Sequence, residues 1–162
     1  MQAYEQIRMM KEEKFKYQKQ IDMLLALGCQ LPELFAPNDM NACRFAFSGA
    51  DYQNHIPQYL SNPKRMLQDV NNGKGNTSLL ALSCFSTTEK AELFYLNLRK
   101  AFKNIASTIG DSLSEGKLSN EDGRKTKTAS NGHFDFYEYE ACDLNKTFQI
   151  TKNLIEKKDE KD

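Results

Sequence analysis

Hydrophobic positions change period within one stretch of the chain, residues 77–110, and the remaining segments are read around it. Residues 77–85 (Thr77, Ser78, Leu79, Leu80, Ala81, Leu82, Ser83, Cys84, Phe85) form a nearly continuous apolar run of strand length. Turn-forming Asn71, Asn72, Gly73, Lys74, Gly75 and Asn76 precede it, so a buried strand is expected. From Ala91 the spacing becomes helical. Ala91, Phe94, Tyr95, Leu98, Ala101, Phe102, Ile105 and Ile109 fall on one stripe, which predicts a long amphipathic helix. Ser86 with Glu89 three residues later reads as its capping box, and Gly110 as its end.

Taken in order, residues 2–27 have helix-forming composition and stop at Gly28, with Pro32 just beyond. Lys14 interrupts the apolar row of Ile7, Met10, Tyr17, Ile21 and Leu24. The front of this helix is thickly charged, whereas residues 21–27 are apolar enough to pack on a core. The front end is therefore read either as a solvated extension or as an arm for a partner or a second copy of the chain. Residues 31–37 form a loop fixed by prolines. Residues 42–47 alternate as a strand, with Cys43, Phe45 and Phe47 on one face and Arg44 on the other.

Residues 48–76 carry broken signals: a short helix around 63–70, another helical turn at 57–60, and otherwise a lid or structural loop. Residues 111–118 continue helically or turn, and residues 119–132 read as an exposed connector. Residues 133–140 and 147–151 alternate as two strands of a hairpin joined across Asp143, Leu144, Asn145 and Lys146. The charged residues 156–162 read as a disordered tail. Together these elements predict a single α+β domain over residues 1–155, with a mostly antiparallel sheet packed against the central helix.

Composition narrows the function classes. In 162 residues, 22 basic side chains balance 22 acidic ones, so no global field favours nucleic acid or an anionic membrane. Ten Phe and seven Tyr supply enough packing material for a real core. No run reaches membrane-spanning length or resembles a leader. Cys29, Cys43, Cys84 and Cys142 lack metal or redox spacing and read as buried thiols of a cytoplasmic protein.

Candidate chemistry is sparse. The two histidines, His55 and His133, stand in no ligand motif, so no metal is expected. Gly73, Lys74 and Gly75 precede a strand instead of opening a helix, which suits a plain turn better than a phosphate loop. Cys84 before a helix N-terminus raises the question of a nucleophile with His133 as base, but alternation with Leu80 and Leu82 points it inward. Glu138 and Glu140 project from one strand face. They either enter a cleft, where paired carboxylates could hold a sugar hydroxyl or stabilise positive charge, or lie on the solvent side while Tyr137 and Tyr139 pack.

Arg44 on an early strand, residues 83–87 (Ser83, Cys84, Phe85, Ser86, Thr87) at a strand-to-helix junction, and Glu138-Tyr139-Glu140 on a late strand occur in a suggestive order. That order resembles the elements of ADP-ribosyltransferases of the arginine-serine-glutamate type. The resemblance implies NAD as cofactor, with Arg44 holding its phosphates and Ser86 or Thr87 shaping the nicotinamide-ribose pocket. Glu140 would then support an oxocarbenium-like ribose and Glu138 would position the acceptor. The compact Ser-Thr-Ser element is replaced by Ser86-Thr87-Thr88. The leading expectation is a small cytoplasmic protein-binding or regulatory module without cofactor, meeting another protein or a second copy through the N-terminal helix. The alternatives are an NAD-using enzyme with Arg44, Ser86, Thr87, Glu138 and Glu140 as its site, or a degenerate, binding-only version of that fold.

Overall fold

The computed structural model describes residues 14–49 and 54–155. Its elements are α1 (Gln18–Ala26), β1 (Met40–Ala46), α2 (Gln58–Ser61), α3 (Pro63–Asn71), a 3-10 turn (Thr77–Leu80), β2 (Leu82–Phe85) and α4 (Thr88–Ala101). Then follow α5 (Ile105–Thr108), β3 (Ser112–Leu118), β4 (Gly123–Lys125), β5 (His133–Glu138), α6 (Leu144–Thr147) and β6 (Gln149–Asn153). The strands make one antiparallel sheet in the order β4-β5-β2-β1-β3-β6. The fold is therefore α+β with an N-terminal helix, and none of the described helices is long and apolar enough to cross a membrane.

Strand alternation gives the sheet two differently covered faces. On the inner face, Ala42, Leu82, Cys84, Leu118, Phe134 and Phe136 pack with Cys142, Leu144 and Phe148. The outer face has two separate covers. Ala91 and Phe94 of α4 pack on Cys43, Phe85 and Leu113, while Ile21 and Leu24 of α1, with Tyr59 and Leu80, pack on Tyr137. Ser83 of β2 and Asp135 of β5 are cross-strand partners between these covers, and neither belongs to an apolar cluster. The candidate site lies where the α1 cover stops short of Asp135.

The junction at the centre of the chain differs from its sequence pattern. The strand begins at Leu82 and not at Thr77, because Asn76 accepts a side-chain hydrogen bond from the Ser78 amide and winds the preceding residues into the 3-10 turn. The α4 cap is Thr87, whose hydroxyl accepts from the Lys90 amide at 3.2 Å. The Ser86 amide instead donates to the Gly132 carbonyl. The helix ends at Ala101, since Phe102 is extended and 56 % exposed, so the apolar stripe spans a break. The Ser107 and Thr108 hydroxyls close α5 as a separate turn by bonding to the Asn104 carbonyl.

The C-terminal half departs further. Residues 112–118 are a strand, concealed by Ser, Glu, Gly and Lys, which have low strand propensity. Gly116 is needed there because a Cβ would lie 2.4 Å from the Phe148 ring. The expected connector contains the edge strand β4, with Gly123 and Lys125 buried. The expected hairpin does not form: β5 and β6 are separated by β2, β1 and β3. Asp143 caps α6 by accepting from the Asn145 amide, and the 143–148 segment crosses the inner face.

At the N-terminus, the helix starts at Gln18 and ends before Gly28, which has φ +94°. Ahead of the helix, Phe15 forms an isolated bridge and residues 16–17 turn into it. Phe15 bridges Tyr139, the Lys16 amide donates to the Glu138 carbonyl, and the Glu140 amide donates to the Lys14 carbonyl, both at 2.9 Å. The part of the expected helix over residues 2–13, and the expected tail, lie outside the described residues.

Candidate functional site

Arg44 lies on the inner face and is 8 % exposed. Its guanidinium donates to the carbonyl of Ser83 at 2.5 Å, to the carbonyl of Asn54 at 3.1 Å and to Nδ1 of His55 at 3.2 Å. These bonds engage three of the five N–H donors and join β1 to β2 and to the 54–55 turn, so the residue reads as a structural tie. Burial, with the adjacent Arg44 charge, lowers the His55 pKa to about 4 and keeps the ring neutral.

The other residues of the transferase pattern are dispersed. Ser86 and Thr87 follow Phe85, which is paired with His133 at the start of β5. Glu138 is at the opposite end, paired with Gly123, about 17 Å along the strand from His133. Glu138 shares the inner face with Arg44, but it is 4 % exposed and bonded to the Lys16 ammonium at 2.8 Å. Glu140 lies beyond the strand and is exposed. The alternation that paired the two carboxylates holds only as far as Glu138, and Tyr137 and Tyr139 are also buried. The structure does not bring Arg44, Ser86 and Glu140 around one concavity.

All four cysteines are free. Cys84 faces the inner cluster, and burial pushes its thiol up to about 11. His133 points to the outer face and cannot serve it as a base. Gly75 packs close to the Cys29 sulfur and the Leu24 side chain, which suits the turn reading of that glycine pair. Among the described residues, no group of three or more His, Cys, Asp or Glu could hold a metal ion.

The outer-face gap is more promising. A cleft of about 440 Å³ is lined by Gln30, Leu31, Pro32, Asn76, Thr77, Ser78, Thr126 and Asp135. The segment leaving α1 builds one wall and the 3-10 turn another; β5 supplies Asp135. Beside Asp135, the Ser83 hydroxyl and Nε2 of His133 share a 2.6 Å hydrogen bond. The Asp135 carboxylate is 3.7 Å from that same nitrogen and receives no hydrogen bond from any described residue. Burial raises its pKa, partly offset by His133. Because Ser83 and Asp135 approach the same nitrogen, the carboxylate does not orient the ring through its other nitrogen as a nucleophile-base-carboxylate set requires.

Sequence reasoning weighed His133 as a metal ligand and as a base for Cys84, placed Ser83 only within the 77–85 run and the 83–87 element, and gave Asp135 no role. Their signal was present as polar residues at alternate positions of two strands, Ser83 within Leu82–Phe85 and His133 and Asp135 within His133–Glu138. A second surface adjoins the cleft in sequence. Met23, Leu25 and Leu27 at the end of α1 are 40, 40 and 58 % exposed, and Gln30 of the cleft follows three residues later. No family model, no curated protein and no solved structure matches this chain.

Proposed function

We propose that the chain is a protein-binding or regulatory module whose contact surface joins the exposed end of α1 to the outer-face cleft. The observation that carries this reading is the Asp135 carboxylate, half-buried in the cleft yet given no hydrogen bond by the described residues. The Asp135 side chain is 24 % exposed, so water serves it in the free chain, and a partner would exchange that water for fixed donors. Met23 and Leu27, four residues apart on one side of α1, add exposed apolar surface on the element that leads into the cleft wall, with Leu25 exposed on another side. A cytoplasmic setting belongs to the same reading, supported by four unpaired thiols, three of them buried. The NAD-transferase alternative through Arg44, Ser86 and Glu140 has no comparable support, since their side chains serve separate parts of the fold.

The test is affinity capture with the full chain, run in parallel with a Leu25→Glu/Leu27→Glu variant and an Asp135→Asn variant. Both alter exposed or half-exposed positions, where substitution costs little stability. The reading expects the same captured protein to be lost by both variants. Sedimentation velocity on the same samples reports a second copy as the partner. Capture unchanged in both variants, with a monomer throughout, would reject it.

A further inference from the structure

We infer that the outer-face cleft takes an organic cation, a primary ammonium or guanidinium on an aliphatic stem such as a lysine or arginine side chain presents. The inference rests on the binding-module reading and names the group that the module recognises. The charge argument comes first. Asp135 is the acidic residue of the cleft lining, and that lining contains no lysine or arginine. His133 is the neighbouring candidate counter-charge. Its Nε2 is held by the Ser83 hydroxyl at 2.6 Å and remains 3.7 Å from the carboxylate, outside hydrogen-bond reach. A carboxylate that has lost part of its hydration gains most from a ligand that brings both charge and donors.

The surroundings match the rest of such a ligand. An ammonium carries three donors and no acceptor. Asp135, Ser78, Thr126, Asn76 and Gln30 give the cleft a polar lining. Asn76 Oδ1 and Thr126 Oγ1 each already accept one backbone amide, from Ser78 and Asp135 respectively, which leaves the Asp135 carboxylate as the main acceptor for the ligand's head. Leu31 and Pro32 give an apolar wall for the stem, the usual arrangement by which long basic side chains bury methylenes and keep their heads polar. An anionic ligand would meet Asp135 with no lysine or arginine in the lining. A bare metal ion would find a single carboxylate in a space far wider than its coordination shell.

The test is a two-dimensional amide NMR titration of the full chain with 1,5-diaminopentane and with Nα-acetyl-lysine methylamide, using glucose and glutarate as neutral and anionic controls. The expected result is saturable shifts at Asn76, Ser78, Thr126 and Asp135 with both amines at concentrations up to about 10 mM, and none with either control. Asp135→Asn should weaken binding by at least about tenfold. Ser78→Lys, which tethers an ammonium inside the cleft, should abolish it while the spectrum stays dispersed.

Binding of one amine and not the other assigns the source, free amine or protein side chain, and upholds the class. Absence of shifts with both amines, persistence in Asp135→Asn, or equal response to glucose overturns it. Amine binding with no partner lost by the Leu25→Glu/Leu27→Glu variant would keep the cation site and remove the protein partner. The reverse pattern would keep the partner and remove the cation.

Discussion

Replacing Lys16 by Met should detach the strap that holds the N-terminal segment on β5. The Lys16 ammonium donates to Oε2 of Glu138 at 2.8 Å and also to the Cys142 carbonyl. Glu138 is buried, and its Oε1 already has no partner. The variant would leave both carboxylate oxygens buried without a donor. Removing one member of a fully buried pair costs about 3–5 kcal/mol. Lys16 is 27 % exposed, so water shares in solvating its charge and the expected loss falls to about 2 kcal/mol. With a urea slope of about 2 kcal/mol/M, the denaturation midpoint should drop by about 1 M.

The pH dependence separates this charge effect from lost packing. Burial opposes the Lys16 charge, but the hydrogen bond and charge of Glu138 outweigh it and raise the lysine pKa. For Glu138, burial dominates and raises the carboxyl pKa despite Lys16. The pair is thus lopsided: it favours the ammonium more than the carboxylate. A carboxyl whose folded pKa exceeds its unfolded value takes up protons on folding, so its contribution to stability falls as pH rises from that unfolded value through the folded one. Without Lys16 the folded pKa moves higher still. The deficit relative to wild type should therefore be small in acid and grow toward neutral pH. Glu138→Gln in the Lys16→Met background should recover most of it. An equal loss at pH 5 and pH 8, or no recovery in the double variant, would refute the charge argument and leave the Cys142 bond or packing as the cause.

Further expectations follow from the same geometry. Thr87→Ala should cost about 1 kcal/mol by chemical denaturation through loss of the α4 cap, and Ser86→Ala appreciably less. Gly110→Ala should lower the melting temperature markedly, because φ is +124° and a Cβ would stand 2.4 Å from the Ala46 carbonyl oxygen; the backbone term is about 1–3 kcal/mol. His55 should make folding acid-sensitive. Its folded pKa of about 4 lies below the ordinary 6.5, so the unfolded chain binds the extra proton and stability falls between pH 6.5 and 4. The loss should reach at most about 3 kcal/mol, and denaturation of His55→Gln across that range should show a shallower decline.

How much of this was legible depended on whether a local pattern had a single structural solution. The 42–47 alternation gave β1 and its two faces, because the period fixes which side chains share a side. The charge-free apolar run before Phe85 did not distinguish a strand from a 3-10 turn followed by a strand; that choice was made by the Asn76 side chain. The late alternating runs gave β5 and β6 as strands but paired them wrongly, since nothing local reveals that three strands come between. β3 was missed for a tertiary reason: the small residues that spoil its propensity make room for Phe148. For the site, sequence could rank residue types but not their hydrogen-bond completion.

Completion is the property that separates structural polar groups from candidate recognition groups in this fold. Arg44 drew attention as a charge on an apolar strand, yet it is 8 % exposed and its guanidinium bonds to two carbonyls and an imidazole. Glu138 is intermediate: one carboxylate oxygen is unpartnered, but the group is sealed beneath Lys16, which suits a latch. Asp135 combines an unfilled bonding capacity with access, because neither α1 nor α4 covers the stretch of β2 and β5 that carries it. On internal strands an apolar pair would have extended one cover to meet the other at roughly 25 cal/mol per Å² of buried surface. The chain instead places Ser83 opposite Asp135 and forgoes that burial, so this stretch of the outer face stays open to solvent between the two covers.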